Sequence, residues 1–143
     1  MSMNPASCRP CFLYARKSTD VEDKQVLSIE AQLVELREYA ARESLQITEE
    51  FVEKQSAKIP GRPMFNAMLA RIEKGEAQGI LAWHPDRLAR NSVDGGRLIY
   101  LVDREIIKLL KFPQFWFEST PQGKFMLNIP LYQKIRSIFK NQM

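Results

Sequence analysis

Short apolar runs that read as strands alternate with longer amphipathic runs that read as helices, and this alternation limits the possible folds more than any other feature. Residues 12–17 start apolar after Pro10 and turn polar, the profile of a short buried strand entering a loop. After the polar, acidic loop 18–27, Ser28 is placed to cap a helix running to about Ser44. Its residues Ile29, Leu33, Leu36, Tyr39 and Ala40 recur at helical spacing. Residues 47–52 read as a second strand and 53–62 as a loop. Pro63 suits the first position of a helix whose apolar stripe is Phe65, Met68, Leu69 and Ile72, and Lys74 with Gly75 ends it. Residues 79–83 are apolar throughout, as in a central parallel strand. Asn91 or Ser92 caps a further helix carrying Leu98, Leu101, Val102 and Ile106, and residues 108–112 and 116–118 read as one or two more strands.

Strands that alternate with helices predict an α/β domain: a mostly parallel sheet of four or five strands flanked by helices. The chain of 143 residues is long enough to bury one ordinary core without disulfides or metals. No apolar run approaches the roughly 20 residues that span a bilayer. The N-terminus has no hydrophobic signal core, so the expectation is a cytoplasmic protein with no membrane partner. The net charge of +4 permits a nucleic-acid partner without demanding one.

Cys8 and Cys11 form a C-x-x-C spacing. A redox pair would follow a strand and open a helix, whereas this pair precedes a strand. A zinc site needs two further ligands, and His84 is the only histidine. The expectation is a reduced pair near a loose N-terminus, with residues 1–11 a flexible tail.

Parallel sheets gather ligands at the carboxyl ends of their strands. The first strand delivers Tyr14, Arg16 and Ser18. The second delivers Glu53, with Ser56 and Arg62 in the loop after it, and the third delivers Asp86, Arg87 and Arg90. One serine and four arginines therefore meet at one edge. Arginine stays charged, and its planar fork can hold two phosphate oxygens. Phosphoryl transfer spreads charge over equatorial oxygens, so fixed cations lower its barrier, and a serine beside them is placed to attack phosphorus. Arg87 and Arg90 lie three apart, so one helical turn would point both the same way. Arg16 and Ser18 share a face if the strand continues that far.

Taken singly, each element has a plainer reading. A serine after a strand is usually a solvated loop residue, and Arg-Leu-Ala-Arg is usually a solvated helix face. Gly-Arg-Pro is a common helix start, and Glu53 or Asp86 could simply hold an arginine straight. His84 could be offered as the base that serine needs, but a histidine beside a strand end more often packs or hydrogen-bonds. Convergence of several elements carries the case.

Tyr-Ala-Arg-Lys-Ser (14–18) resembles the nucleophile motif of the serine recombinase (resolvase/invertase) family, and Ser-Ile-Glu-Ala-Gln (28–32) resembles the start of its first helix. Glu-Lys-Gln-Ser-Ala (53–57) followed by Gly-Arg-Pro-Met-Phe (61–65) is similar to the loop carrying its next catalytic arginine. His-Pro-Asp-Arg-Leu-Ala-Arg-Asn (84–91) resembles its most specific signature. The likeness covers about residues 12–128, in the style of the large serine recombinases of phages and mobile elements.

The resemblance implies a resolvase-like catalytic domain over 12–129 that cleaves and rejoins DNA. Ser18 would form a 5′-phosphoserine link and release a 3′-hydroxyl. Arg16, Arg62, Arg87 and Arg90 would stabilise the phosphate. Asp86 and Glu53 would orient those arginines or assist proton transfer, while Tyr14, Gln32 and Ser56 support the site. No metal or other cofactor is implied; the partners are DNA and, in the intact family, further copies forming a homodimer or tetramer.

The chain departs from the family after Thr120–Ile129, where a long helix and DNA-binding domains are expected. Pro130 and the basic, partly apolar stretch to Met143 do not resemble that continuation. The expectation is an atypical tail over 130–143, absent DNA-binding domains, a truncated chain and weakened assembly. An alternative is a non-catalytic remnant that pairs with full-length recombinases and modulates them. A nucleotide-binding enzyme finds no support, since no G-x-G-x-x-G or P-loop follows any strand.

Overall fold

The computed structural model describes residues 10–18 and 27–113. In chain order they form β1 (Pro10–Arg16), α1 (Ile29–Arg42), β2 (Gln46–Glu53), α2 (Pro63–Glu73), β3 (Gly79–Ala82), the single turn α3 (Pro85–Leu88), α4 (Ser92–Asp103) and β4 (Leu109–Lys111). The four strands make one sheet in the order β2-β1-β3-β4, and every pairing is parallel. Four parallel strands flanked by helices fulfil the α/β expectation; residues 116–118, read as a further strand, lie outside the described residues.

The strand order explains where the helices go. β2 lies on one side of β1 and β3 on the other, so the chain reverses direction at β1. Right-handed crossovers then place α1 on one face and both α2 and α4 on the opposite face. Side-chain alternation along β1 matches this. Phe12 and Tyr14 enter the larger core with Phe65, Met68, Leu69, Leu98 and Leu101, while Leu13 and Ala15 enter a smaller one with Leu36 and Ala40. A central strand buried on both faces has to be apolar on both, which is why β1 shows no polar alternation.

Local signals set most boundaries. The Ser28 side chain caps α1 by accepting from the Ala31 N–H at 3.1 Å. Pro63 opens α2, whose stripe Phe65, Met68, Leu69 and Ile72 is buried, and Gly75 follows its C-cap at φ +89°. Asn91 caps α4. α4 ends at Asp103, so Ile106 packs on the core from beyond the helix.

β1 begins at Pro10, two residues earlier than its apolar run suggests. Cys11 is therefore a buried strand residue paired with Gly79, and the reading of residues 10 and 11 as tail is corrected; Cys8 lies outside the described residues. The pairing is close enough that a Cβ on Gly79 would sit 2.7 Å from the Cys11 Sγ, so any larger residue there would have to displace the buried Cys11 side chain.

Candidate active site

The point of reversal lies between β1 and β3, where a parallel sheet opens a crevice at its carboxyl edge. Arg16 ends β1, and Arg87 sits in α3 just beyond β3. The two hold each other reciprocally. Arg16 Nε donates to the Arg87 carbonyl at 3.1 Å, and Arg87 Nη1 donates to the Arg16 carbonyl at 3.1 Å. Arg16 also donates through Nη2 to the Asp86 carbonyl at 2.9 Å and through Nη1 to the Gln55 carbonyl at 3.3 Å. This one side chain thus ties β1 to the turn after β3 and the loop after β2.

Arg62, the N-cap residue of α2, reaches the same place from the third element. Its Nη1 donates to the Tyr14 hydroxyl at 2.9 Å and to the Arg87 carbonyl at 3.5 Å. Its Nη2 donates to the Leu88 carbonyl and to Asp94 Oδ2, the latter at 3.0 Å. The guanidinium lies 4.0 Å over the Phe65 ring, a cation–π contact. Arg16, Arg62 and Arg87 are 0%, 1% and 1% exposed. Buried guanidiniums are tolerable only when their N–H groups are satisfied, and here backbone carbonyls perform most of that task.

Ser18 follows two residues after β1 and is 9% exposed. The strand stops at Arg16, but the Lys17 N–H still donates to the Glu53 carbonyl at 3.1 Å, which extends the parallel ladder to the residue before the serine. Gln32 fixes the same segment from α1. Its side-chain amide accepts from the Arg16 N–H at 3.4 Å and donates to the Arg16 and Leu27 carbonyls at 3.0 Å each.

The acidic residues divide differently from the sequence reading. Asp86 pairs with Arg87 at 3.1 Å, as expected of a residue that holds an arginine straight. Burial pushes the Asp86 carboxyl up, but the hydrogen bond with His84 and the Arg87 charge outweigh it and hold it at about 2. Glu53 instead accepts from the Phe65 N–H at 2.8 Å, the Met64 N–H at 3.3 Å and the Tyr14 hydroxyl at 3.1 Å. It caps α2 from another element, where the N-cap residue's own side chain makes no capping bond. Burial drives the Tyr14 phenol far above its ordinary value, with Arg62 opposing and Glu53 adding to the rise. Tyr14 is therefore a neutral hydroxyl relaying Arg62 to Glu53.

His84 caps α3: Nδ1 accepts from the Asp86 N–H at 3.2 Å and lies 3.1 Å from the Asp86 carboxylate. Nδ1 cannot serve both at once. Neutral, it accepts from the backbone; protonated, it donates to the carboxylate. Either role is structural, in line with the plainer reading of this residue.

One expectation needs correction. Arg87 and Arg90 do not share a helical turn, because α3 ends at Leu88 and Ala89 is extended, at φ −150° and ψ 138°. Arg87 is buried and Arg90 half-buried on the far side of that break. Ser56 accepts from the Lys58 N–H at 3.1 Å, a local turn that shapes the loop after β2.

Asp94 and Asn91 belong to the site and escaped the sequence reading. Asp94, 3% exposed, accepts from Arg62 and, at 2.8 Å, from Asn91 Nδ2, while Asn91 Oδ1 accepts from the Asp94 N–H at 2.8 Å. The signal was Asn-x-x-Asp at a helix start, the spacing of a reciprocal cap. Among the described residues no group of three or more His, Cys, Asp or Glu side chains could hold a metal, and no helix is long and apolar enough to cross a membrane.

Residues 11–131 match the sequence profile of the family described as "Resolvase, N terminal domain". The chain belongs to the resolvase family. Comparison with curated protein sequences gives no match. Among solved structures, the N-terminal catalytic domain of TP901-1 integrase is similar with a TM-score of 0.65 and 22% identity, over 94% of this chain and 98% of that one. A resolvase-family site-specific recombinase from Streptococcus pneumoniae gives 0.66 and 21%, over 94% and 89%. The C-terminal catalytic domain of ISC1926 TnpA, an IS607-like serine recombinase, gives 0.59 and 17%, over 92% and 82%. At these identities the structures establish a shared fold. With the family match, the resolvase-family chain is a catalytic domain of a site-specific DNA recombinase, and its arginine cluster sits at the sheet edge where such a fold presents ligands.

Proposed function

We propose that this domain breaks and rejoins DNA strands through Ser18, without a metal or other cofactor. The observation that carries the reading is the meeting of three buried guanidiniums from β1, the α2 N-terminus and α3: Arg16 and Arg62 both donate to the Arg87 carbonyl, and Arg87 donates to the Arg16 carbonyl, two residues before Ser18. Ser18 Oγ attacks a DNA phosphorus, a new O–P bond forms, and the bond from phosphorus to the 3′-oxygen breaks. The serine gives up a proton and the departing 3′-oxygen gains one, leaving a 5′-phosphoserine and a free 3′-hydroxyl. Reversal of the same step rejoins the strand, and since the phosphoester link is conserved throughout, no ATP is consumed.

Arg16, Arg62 and Arg87, with the half-buried Arg90, supply the positive charge on the phosphate. The bonds they make to carbonyls are the ones a phosphate oxygen replaces, since a charged acceptor outcompetes a neutral one for the same N–H. Asp86 holds Arg87; Tyr14 and Glu53 hold Arg62; Gln32 fixes the backbone just before Ser18, and Ser56 shapes the facing loop. The catalytic unit runs from residue 10, where β1 begins, to 129. Its partners are DNA, in the cytoplasm, and further copies of itself as a dimer or tetramer.

Incubating the full chain in EDTA with a nicked duplex, whose cleaved strand diffuses away, is expected to trap a protein–DNA adduct on a denaturing gel. Ser18→Ala is expected to give none. An adduct of equal yield in Ser18→Ala, or one that forms only when magnesium is restored, would overturn the reading.

A further inference from the structure

The partners of Arg62 fall into two kinds, and the distinction has a consequence if Arg62 binds phosphate, the reading on which this inference rests. The Arg87 and Leu88 carbonyls belong to the short α3 turn and are neutral. The Tyr14 hydroxyl and the Asp94 carboxylate belong to a central strand and a twelve-residue helix. When phosphate takes the place of the carbonyls, only the second kind remains to aim the guanidinium. We infer that Asp94 is a positioning residue that holds Arg62 at the phosphate while the turn carbonyls exchange.

Asp94 is built to stay still. It stands in the first turn of α4, its side chain 4% exposed, with its own N–H and its carboxylate both bonded to Asn91. Asn91 Nδ2 also donates to the Ala57 carbonyl at 3.0 Å, so α4 is pinned to the loop after β2 that leads to Arg62. The Asp94 carboxylate is also the one charged acceptor among the hydrogen-bond partners of Arg62 in the described residues, the others being the Tyr14 hydroxyl and two backbone carbonyls. Arg62 Nε is buried and has no hydrogen-bond partner among the described residues, so nothing at that nitrogen fixes the fork's rotation. Tyr14 and Asp94 are the two side chains that do.

Single-turnover cleavage of the nicked duplex by the full chain tests this with Asp94→Asn, Arg62→Lys and the double variant. Misdirection of Arg62 is expected to slow Asp94→Asn about 100-fold at saturating DNA. The DNA concentration giving half the maximal rate should move by less than about twofold. The double variant should be no slower than Arg62→Lys alone, because both changes remove one function. Asp94→Glu keeps the charge that folding needs but displaces the fork by a methylene, and should show the same dependence on Arg62.

Rates that multiply in the double variants, or a wild-type rate in Asp94→Asn, would overturn the positioning role alone. Arg62→Lys at the wild-type rate would instead overturn the phosphate reading beneath it. A readout independent of DNA is the NMR signal of the Arg62 Nε–H, which lies beside the Phe65 ring. It should shift in both folded Asp94 variants, and a signal that stays in place would likewise overturn the role.

Discussion

At the scale of single residues, the site is a set of cations whose orientation depends on a few fixed acceptors. Asp86 shows how charge sustains this. Its folded-state value of about 2 lies below the ordinary carboxylate value of 3.8, so it adds stability that is present above about pH 4 and is lost as the pH falls towards 2. The difference in unfolding free energy between the wild type and Asp86→Asn should thus shrink as the pH falls from 4 to 2. Urea titrations at several pH values between 4 and 2 measure it; a difference that grows as the pH falls through that range would contradict the assignment. The sequence announced Asp86, Arg87 and Ser18 because they leave strand ends. It did not announce that Arg87 and Arg90 part company, since a spacing of three means a shared face only if the helix lasts, and α3 lasts one turn. Asp94 was only half legible for a related reason: Asn-x-x-Asp signals a helix cap, but such a cap is ordinarily solvated, and only tertiary contact turns it inward.

At the scale of elements, Glu53 couples two parts that the sequence reading kept separate. It ends β2 yet caps α2, and through Tyr14 it reaches Arg62, so strand end, helix start and arginine cluster share one buried carboxylate. Glu53→Ala would leave two amide donors and a buried hydroxyl without their acceptor, and should cost about 3 kcal/mol of stability. Glu53→Gln keeps an acceptor of the same shape and should cost clearly less. Equal losses in chemical denaturation would mean that the carboxylate's bonds are not what joins β2 to α2. Helix starts at Ser28, Pro63 and Asn91 were legible because caps and first-turn prolines act locally. The start of β1 was not, because Pro10 and Cys11 are held by β2 and β3, partners remote in sequence.

At the scale of the whole molecule, the alternation of strands and helices was enough to predict a parallel sheet, while the strand order was not written in it. The reversal at β1 determines which loops meet, and it brings the end of β1 and the start of α2 together at the Arg87 carbonyl in the turn after β3, with Ser18 two residues beyond β1. The central claim is that this meeting point performs strand transfer with Ser18 as nucleophile. The most direct measurement is mass-spectrometric mapping of the peptide that carries DNA after cleavage in EDTA, with end-labelling to identify the released DNA terminus. The account predicts a 5′-phosphate on the peptide containing Ser18 and a free 3′-hydroxyl on the released strand. Attachment at any other residue, or through a 3′-phosphate, would contradict it.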